Sequence, residues 1–248
     1  MSDRGRWLIR SAPGAEPRAR LLCLPHAGAG ASIFRLWPER APEGVEVVRV
    51  QLPGREERAR EPPSRSMTEV VAAIERELGD GPPTAIFGHS LGGLIAFELA
   101  KRLHEAGATP ARLFVSGARP PHLPDPHQLH RLPEPDFIEA LRRRGGIPDD
   151  VLRHAELRDM VGGLLRADLA LAETWHRPEP VALPVPITVC AARADAVVSW
   201  EATGHWSLCS TRGYERVELP GDHFFIKQHD ALVMAAVFPR ILQTTAPR

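Results

Sequence analysis

Ser90 lies in the pentapeptide Gly88-His89-Ser90-Leu91-Gly92, which directly follows the apolar run Thr84–Phe87. The segment after the serine, Leu91–His104, has apolar residues at helical spacing. A strand that ends in G-x-S-x-G and turns straight into a helix places its serine on a sharp, exposed turn, which the flanking glycines permit. The motif therefore predicts a serine nucleophile. The alternative is a glycine-rich turn that holds a serine by chance.

Short apolar runs alternate with amphipathic segments along the 248 residues, a length that suits one α/β domain covering residues 1–248. Six strands are predicted: Leu21–Leu24, Val45–Leu52, Thr84–Phe87, Leu113–Val115, Ile187–Ala191 and Tyr214–Leu219. Four helices are predicted among them: Ile33–Arg40, Met67–Leu78, Leu91–Glu105 and Ala231–Leu242. This alternation predicts a mostly parallel central sheet flanked by helices on both faces.

The stretch between Val115 and Ile187 breaks this alternation, because it contains no convincing strand. Its helix candidates are Glu134–Arg144, Asp149–His154 and Glu156–Trp175. We predict that approximately residues 120–180 form a helical lid inserted over the catalytic edge of the sheet, where it shapes the substrate pocket and gates water. The alternative is ordinary helical decoration of the sheet.

A serine hydroxyl needs a base within hydrogen-bond reach, and the base needs an acid that orients it. After a G-x-S-x-G turn the chain order is serine, acid, histidine, so the base comes late in the sequence. His223 is the best candidate because it follows the strand Tyr214–Leu219, at a carboxyl strand end where catalytic loops gather. The other late histidines, His205 and His229, lack that position.

The acid is expected at a strand end between the serine and the histidine. Asp195 is the only well-placed carboxylate, since the turn after the preceding strand has none until Asp125. Asp222 adjoins His223, and neighbours in an extended turn point in different directions, so Asp222 is a poor partner for that ring. Glu201 is a fallback.

An oxyanion hole needs two preorganised N–H donors. The residue after the nucleophile supplies one, so we assign the Leu91 amide. The turn Pro25–Gly30 follows an early strand, and its small residues favour the Ala27 amide as the second donor. A glycine-rich turn can instead cradle phosphate, but neither a G-x-G-x-x-G fingerprint nor a Walker lysine is present.

Composition excludes several classes of partner. The chain has 31 basic and 31 acidic side chains, so nothing indicates a nucleic-acid or anionic-membrane surface. No run approaches 18 apolar residues, and the N-terminal segment lacks the apolar region of a secretory signal. The three cysteines, Cys23, Cys190 and Cys209, are an odd number without paired spacing, which favours a reducing compartment. We therefore expect a cytoplasmic protein.

The chain resembles the type II thioesterases, free-standing editing enzymes of polyketide and nonribosomal peptide synthesis within the α/β-hydrolase superfamily. The resemblance covers nearly the whole chain and rests on Leu24–Gly28, Leu52–Glu56, Phe87–Gly93, Asp195 and Gly221–Phe225. It implies an α/β-hydrolase fold with a helical lid insertion.

The same resemblance assigns the site residues. It implies a triad of Ser90, Asp195 and His223, and an oxyanion hole formed by the backbone N–H groups of Ala27 and Leu91. Arg55, in the Leu-Pro-Gly-Arg marker of the family, receives no catalytic role. Two positions depart from the family pattern: Ala29 and Ala192 stand where glycines are frequent.

The resemblance implies hydrolysis of aberrant or stalled acyl thioesters on the phosphopantetheine of acyl or peptidyl carrier proteins. The route passes through an acyl-serine and needs neither a cofactor nor a metal of the enzyme's own. A monomer is expected, and Arg142-Arg143-Arg144 is a candidate docking patch for acidic carrier proteins. Alternatives are a carboxylesterase or acyltransferase of the same fold, or a non-catalytic scaffold that binds partners.

Overall fold

A seven-stranded sheet forms the centre of the computed structural model, which describes residues 7–11, 17–147 and 149–243. The strands are β1 (Leu8–Arg10), β2 (Ala19–Leu24), β3 (Val45–Val50), β4 (Thr84–His89), β5 (Arg112–Ser116), β6 (Ile187–Ala191) and β7 (Tyr214–Glu218). Their spatial order is β1-β3-β2-β4-β5-β6-β7; β1 pairs antiparallel with β3, and the other pairs are parallel. The predicted sheet is confirmed. The sequence does not predict β1, because three residues carry too little periodicity.

The α-helices of the described residues are α1 (Trp37–Arg40), α2 (Met67–Leu78), α3 (Leu91–Glu105), α4 (Glu134–Arg143), α5 (Asp149–Leu152), α6 (Ala155–Thr174), α7 (Trp200–Gly204), α8 (Phe225–Gln228) and α9 (Asp230–Gln243). The prediction of one helix over Ile33–Arg40 is wrong: a 3-10 turn covers Ala31–Phe34, and α1 begins only at Trp37. Pro38 has no N–H to donate to the preceding turn, so a helix cannot continue through it without losing a hydrogen bond. None of the helices so described combines the length and apolar character needed to cross a membrane.

The two faces of the sheet carry separate apolar cores, because successive strand residues point to opposite faces. In β2, Leu22 and Leu24 belong to the core shared with α2 and α3. Leu21 and Cys23 belong to the core shared with α9. Since all four are fully buried, β2 is apolar on both faces, as expected for a parallel strand covered on both sides.

Residues 117–186, between β5 and β6, form a segment that we call the insertion. It contains α4, α5 and α6 and, among its described residues, no strand; Leu183 makes only an isolated bridge to Ser210. A small apolar core of its own holds it together: Leu129, Phe137, Leu141, Ile147 and Leu165. Its outgoing and returning legs are joined, because the Arg177 N–H donates to the Pro121 carbonyl at 2.8 Å.

Polar contacts attach the two legs of the insertion to the rest of the molecule. On the outgoing leg, the Ala118 carbonyl accepts from Trp206 Nε1 at 2.8 Å. On the returning leg, the Glu98 carboxylate in α3 accepts from Trp175 Nε1 at 3.0 Å and from Arg177 Nε at 2.7 Å. The insertion is therefore fixed to the helix that follows the serine turn.

The middle of the sheet is a topological switch point. After β2 the chain moves outward to β3, and it then returns to β4 on the other side of β2. The loops that follow β2 and β4 therefore diverge and leave a crevice at the carboxyl ends of these strands, where ligands bind in open α/β sheets. Both the Pro25–Gly30 turn and Ser90 lie at this crevice.

Candidate active site

Ser90 occupies a strained turn between β4 and α3. Its φ of 54° and ψ of −118° are unusual for a residue with a side chain and typical of a nucleophile elbow. The glycines around it are required by space: a Cβ on Gly88 would lie 2.0 Å from the Gly92 carbonyl oxygen, and a Cβ on Gly92 would lie 2.3 Å from that of Leu24. The Ser90 N–H donates to the Ser116 carbonyl of β5 at 2.8 Å, which fixes the turn to the sheet.

Ser90, His223 and Asp195 form one hydrogen-bonded series. His223 Nε2 lies 3.1 Å from Ser90 Oγ, and His223 Nδ1 lies 2.8 Å from Asp195 Oδ2. A carboxylate only accepts hydrogen bonds, so Nδ1 carries the proton and Nε2 is free to accept the proton of the serine hydroxyl. His223 and Asp195 are buried, and Ser90 is half-buried. The structure thus brings the three predicted residues together in the arrangement of a base-activated nucleophile.

The second oxygen of Asp195 fixes the orientation of the carboxylate. Asp195 Oδ1 accepts from the N–H groups of Val197 and Val198 at 2.8 and 2.9 Å, so Oδ2 is directed at the imidazole. Asp222, in contrast, accepts from the Phe224 N–H at 2.8 Å and makes no hydrogen bond to the His223 ring in the described structure. The acid that was predicted from its strand-end position is the one that contacts the ring.

The other candidates lie elsewhere. Asp125 pairs with Arg119 at 3.2 Å, and Glu201 is an exposed residue of α7. Among the described contacts, no hydrogen bond joins the ring of His205 or of His229 to Ser90.

The two departures from the family pattern put no strain on the backbone. Outside the glycines, the described residues with positive φ are Glu56 and Ser90 alone, so neither Ala29 nor Ala192 occupies a conformation that favours glycine. Ala192 instead closes the turn that carries the acid, because its carbonyl accepts from the Asp195 N–H at 3.3 Å. The alanines are therefore compatible with both catalytic loops.

His89, the residue before the serine, supports His223, and sequence reasoning missed it. It is completely buried, and its Nε2 donates to the His223 carbonyl at 2.9 Å while Nδ1 accepts from Ser116 Oγ at 2.9 Å. Burial lowers the pKa of His89 well below its usual range, so the ring stays neutral and this pattern of donor and acceptor is stable. The position inside G-x-S-x-G was the available signal.

His26 is a second histidine of the site that sequence reasoning missed. Its Nδ1 donates to the Ala27 carbonyl at 2.8 Å, and its ring packs edge-on against Phe224 with centroids 5.3 Å apart. Nε2 is buried without a partner among the described atoms. Burial lowers the pKa of His26 to about 3, so the ring is neutral near pH 7.

Ala27 and Leu91 offer the two predicted N–H donors. Ala27 lies in a turn that is closed by the Ala29 N–H donating to the His26 carbonyl at 3.1 Å, and Leu91 opens α3. In the part of the chain that the structure describes, neither amide has a protein acceptor. Ala27 and Ser90 line the same cavity. Two unpaired donors on a rigid backbone beside a nucleophile can stabilise a developing oxyanion.

The cavity at Ser90 has a volume of about 60 Å³ and is mostly apolar. The insertion supplies most of the apolar wall: Leu129, Leu141, Leu165 and Leu169. Arg144 also lines the cavity, whereas Arg142 and Arg143 are exposed on the surface. The three arginines of the predicted patch therefore do not share one surface. Arg142 and Arg143 both form ion pairs with Glu139 at 2.8 Å on α4, and this single carboxylate offsets one of their two charges.

Comparison with known proteins gives a consistent family. A model of the thioesterase domain matches residues 19–242. Over 252 residues the chain is 32% identical to the gramicidin S biosynthesis protein GrsT of Aneurinibacillus migulanus, an alignment that covers 100% of this chain and 98% of that protein.

Solved structures agree. RedJ, a thioesterase from the prodiginine pathway of Streptomyces coelicolor, superposes with a TM-score of 0.82 at 37% identity, covering 93% of this chain and 95% of RedJ. YbtT, a type II thioesterase from the yersiniabactin NRPS/PKS pathway, superposes with a TM-score of 0.86 at 27% identity, covering 97% of this chain and 100% of YbtT.

Proposed function

Because this chain belongs to the thioesterase domain family, we propose that it hydrolyses acyl thioesters on the phosphopantetheine arm of acyl or peptidyl carrier proteins in polyketide or nonribosomal peptide synthesis. The chain is a hydrolase of the α/β-hydrolase fold, and relatives such as YbtT act in NRPS/PKS pathways. The proposed task is editing, in which aberrant or stalled acyl groups are released. The hydrogen-bonded series Ser90–His223–Asp195 is the observation that carries the proposal.

Acylation follows from the geometry of that series. Ser90 Oγ attacks the thioester carbonyl while His223 Nε2 accepts the hydroxyl proton, and Asp195 stabilises the resulting imidazolium. The Ala27 and Leu91 amides hold the oxyanion. The departing group is a thiolate whose conjugate thiol has a pKa near ~8.5, so it leaves with little acid assistance. The His223 imidazolium gives its proton to the departing sulfur, so the products are an acyl-serine, a neutral His223 and the free phosphopantetheine thiol.

Deacylation repeats the same chemistry with water. His223 accepts a proton from a water molecule that attacks the acyl-serine carbonyl, and the same two amides hold the second oxyanion. Ser90 recovers its proton from His223 as the acid leaves. No cofactor of the enzyme's own takes part in this proposal, because the phosphopantetheine belongs to the carrier protein.

The size of the cavity supports short acyl groups as substrates. A volume of about 60 Å³ is well below the ~300–1,000 Å³ of typical small-molecule pockets, which favours short acyl groups over long ones. In this proposal the insertion acts as the lid that sets this limit, since Leu129, Leu165 and Leu169 line the cavity.

We further propose a cytoplasmic, monomeric enzyme. All three cysteines, Cys23, Cys190 and Cys209, are free and buried, which suits a reducing compartment. Burial raises the pKa of the Cys190 thiol to about 12, so this thiol stays protonated and unreactive.

The test is hydrolysis of a panel of acyl carrier proteins with acyl chains of increasing length, by wild type and by Ser90→Ala. We expect activity on short acyl groups and a loss of about 10⁴-fold or more in Ser90→Ala, because no other group can form the acyl-enzyme. A fluorophosphonate should label wild type at Ser90 and leave the variant unlabelled.

Ser207→Ala is a matched control, because Ser207 is an exposed serine in the turn of 3-10 helix at His205–Cys209. Its activity should equal that of wild type. A preference of wild type for oxygen esters over acyl carrier proteins would contradict the proposal.

A further inference from the structure

A buried ion pair joins the insertion to the marker segment after β3. Arg55 and Asp168 of α6 meet through two parallel hydrogen bonds, Nη1 to Oδ2 at 2.5 Å and Nη2 to Oδ1 at 2.9 Å. Their side chains are only 4% and 3% exposed. A buried pair of this kind is weak evidence for stability, since desolvation offsets much of its attraction. The pair therefore matters mainly through the geometry that it imposes on its neighbours.

The same carboxylate holds the loop that carries an oxyanion donor. Asp168 Oδ2 accepts from the Gly28 N–H at 2.7 Å, while Arg55 Nη1 donates to the Ala29 carbonyl at 3.3 Å. The carbonyl of the Ala27–Gly28 peptide accepts from His26 Nδ1 at 2.8 Å. Both polar atoms of the peptide that follows Ala27 are therefore held. The preceding peptide, which carries the Ala27 N–H, is held through its His26 carbonyl, which accepts from the Ala29 N–H at 3.1 Å.

Packing leaves this loop little freedom to adapt if α6 moves. Gly28 has a φ of +76°, and a Cβ there would lie 2.5 Å from Leu165 Cδ2 of α6. Arg55 is itself oriented by the Pro53 carbonyl, which accepts from Nε at 3.1 Å and from Nη2 at 3.0 Å. Its guanidinium thus meets Asp168 in a preset orientation, as a planar fork suited to a carboxylate.

We propose that Arg55 and Asp168 are positioning residues that hold the Ala27 amide in place for the oxyanion, so that the hole is complete only while α6 is docked against the loops that follow β2 and β3. This inference rests on the proposed function. It gives the insertion a second role: α6 lines the cavity through Leu165 and Leu169 and, through Asp168, orients the catalytic backbone.

The test compares Asp168→Asn and Arg55→Lys with wild type in single-turnover acylation. Two pantetheine analogues distinguish binding of the oxyanion from binding of the substrate alone. A trifluoromethyl ketone forms a tetrahedral adduct with Ser90, whereas a thioether has no carbonyl and forms no oxyanion. We expect acylation and ketone affinity to fall together by about 10- to 100-fold, somewhat less than the loss of a whole oxyanion donor, with thioether affinity within about threefold.

Glu173→Gln is the matched control. Glu173 is another buried carboxylate of α6 that accepts backbone N–H groups, from Leu129 at 3.1 Å and His130 at 3.0 Å, without touching the oxyanion loop. Its ratio of ketone to thioether affinity should match wild type. If Asp168→Asn does not fold, Arg55→Lys alone tests the proposal. Lysine keeps the positive charge but lacks the planar guanidinium that makes two parallel hydrogen bonds to the carboxylate.

Three results would overturn the inference. The first is that Asp168→Asn and Arg55→Lys fold and acylate at the wild-type rate. The second is that these variants lose affinity equally for the ketone and the thioether. The third is that Glu173→Gln changes the ratio of ketone to thioether affinity as much as they do. The comparison is repeated with a p-nitrophenyl acyl ester. If wild type hydrolyses only this oxygen ester, the proposed function fails, while the ester rates of the variants still decide the role of Arg55 and Asp168.

Discussion

The proposed reacting groups and the cavity beside Ser90 belong to regions held together in different ways. Ser90, Asp195 and His223 follow β4, β6 and β7, so the paired strands of the sheet and its two large cores fix their positions. The cavity wall comes mostly from the insertion, whose own apolar core is small. Polar contacts, notably those of Asp168 and Glu98, fix the orientation of the insertion against the rest of the molecule.

In the proposed function, the sheet therefore supplies the reactivity of the enzyme and the insertion supplies its selectivity. Regions with few buried apolar contacts open locally at a lower free energy than a central sheet. The insertion also exposes apolar side chains, with Leu157 44% and Met160 63% accessible. We therefore expect the insertion to open while the sheet and the catalytic hydrogen bonds stay formed.

The largest expected effect is the loss of kcat in Asp195→Asn, which changes a residue positioned by the sheet and leaves the insertion unaltered. In Asp195→Asn, the Val197 and Val198 N–H groups require an oxygen at the position of Oδ1, which turns the amide nitrogen toward His223. A donor there favours the tautomer protonated on Nε2, which cannot accept the serine proton. We expect kcat to fall by roughly 10³- to 10⁴-fold with the fold intact. Steady-state hydrolysis measures kcat, and circular dichroism measures whether the fold is intact.

Asp222→Asn is the comparison for that variant, since Asp222 adjoins His223 but, among the described contacts, its carboxylate accepts from the Phe224 N–H and the Gln228 amide and not from the His223 ring. Its kcat should stay within about threefold of wild type, because an amide oxygen can replace the carboxylate oxygen as acceptor. Comparable losses in the two variants would argue against Asp195 as the orienting acid.

A matched pair of core deletions sharpens the contrast in stability. Phe87 of β4 and Phe137 of α4 are both fully buried, and the change to alanine removes the same atoms. We expect Phe87→Ala to lower the global free energy of unfolding by about 3–5 kcal/mol. Phe137→Ala should lower it less and should instead speed hydrogen exchange within residues 117–186 and raise KM.

Denaturant unfolding and hydrogen exchange followed by mass spectrometry distinguish these outcomes. Equal losses of global stability, with exchange accelerated throughout both variants, would show that the sheet and the insertion unfold as one unit.

The smallest expected effect is a pH dependence of stability. Burial lowers the pKa of His26 to about 3, whereas a histidine in the unfolded chain titrates near ~6.5. Between these values the unfolded state binds more protons, so the protein loses stability as pH falls through this window. His26→Asn should flatten the slope by up to ~1.36 kcal/mol per pH unit. Urea unfolding across the window measures it.

His154→Gln serves as the control for that slope, because His154 is exposed and its side chain caps no helix. It should retain the pH dependence of wild type. An unchanged slope in His26→Asn would mean that His26 is protonated in the folded state at mildly acidic pH.

The sheet and the hydrogen-bonded series Ser90–His223–Asp195 could be predicted because their signals are local. Apolar runs indicate parallel strands, and G-x-S-x-G fixes the turn at Ser90 by sterics alone. His223 and Asp195 were found from their places at strand ends. The 3-10 turn before α1 was missed because helical spacing outweighed Pro38, whose missing N–H breaks the helix.

The supporting residues could not be predicted, because their roles depend on distant partners. Arg55 meets Asp168 at a separation of 113 residues, and His89 meets the carbonyl of a residue 134 positions away. Nothing in the residues around Asp168 marks it as different from any polar position on an amphipathic helix. Tertiary structure supplies that information.

The hydrogen bond between Arg177 and Pro121 makes the intervening segment a closed excursion from the sheet. Because its two ends already meet, a longer or shorter segment can be accommodated there at a small cost in loop-closure entropy. If the proposed function holds, the substrate range is set by one contiguous segment that can be exchanged while the strands and Ser90, Asp195 and His223 stay the same. We expect that an insertion transferred from a relative must include a residue equivalent to Asp168. Without it, the pocket would change but the Ala27 amide would lose its position.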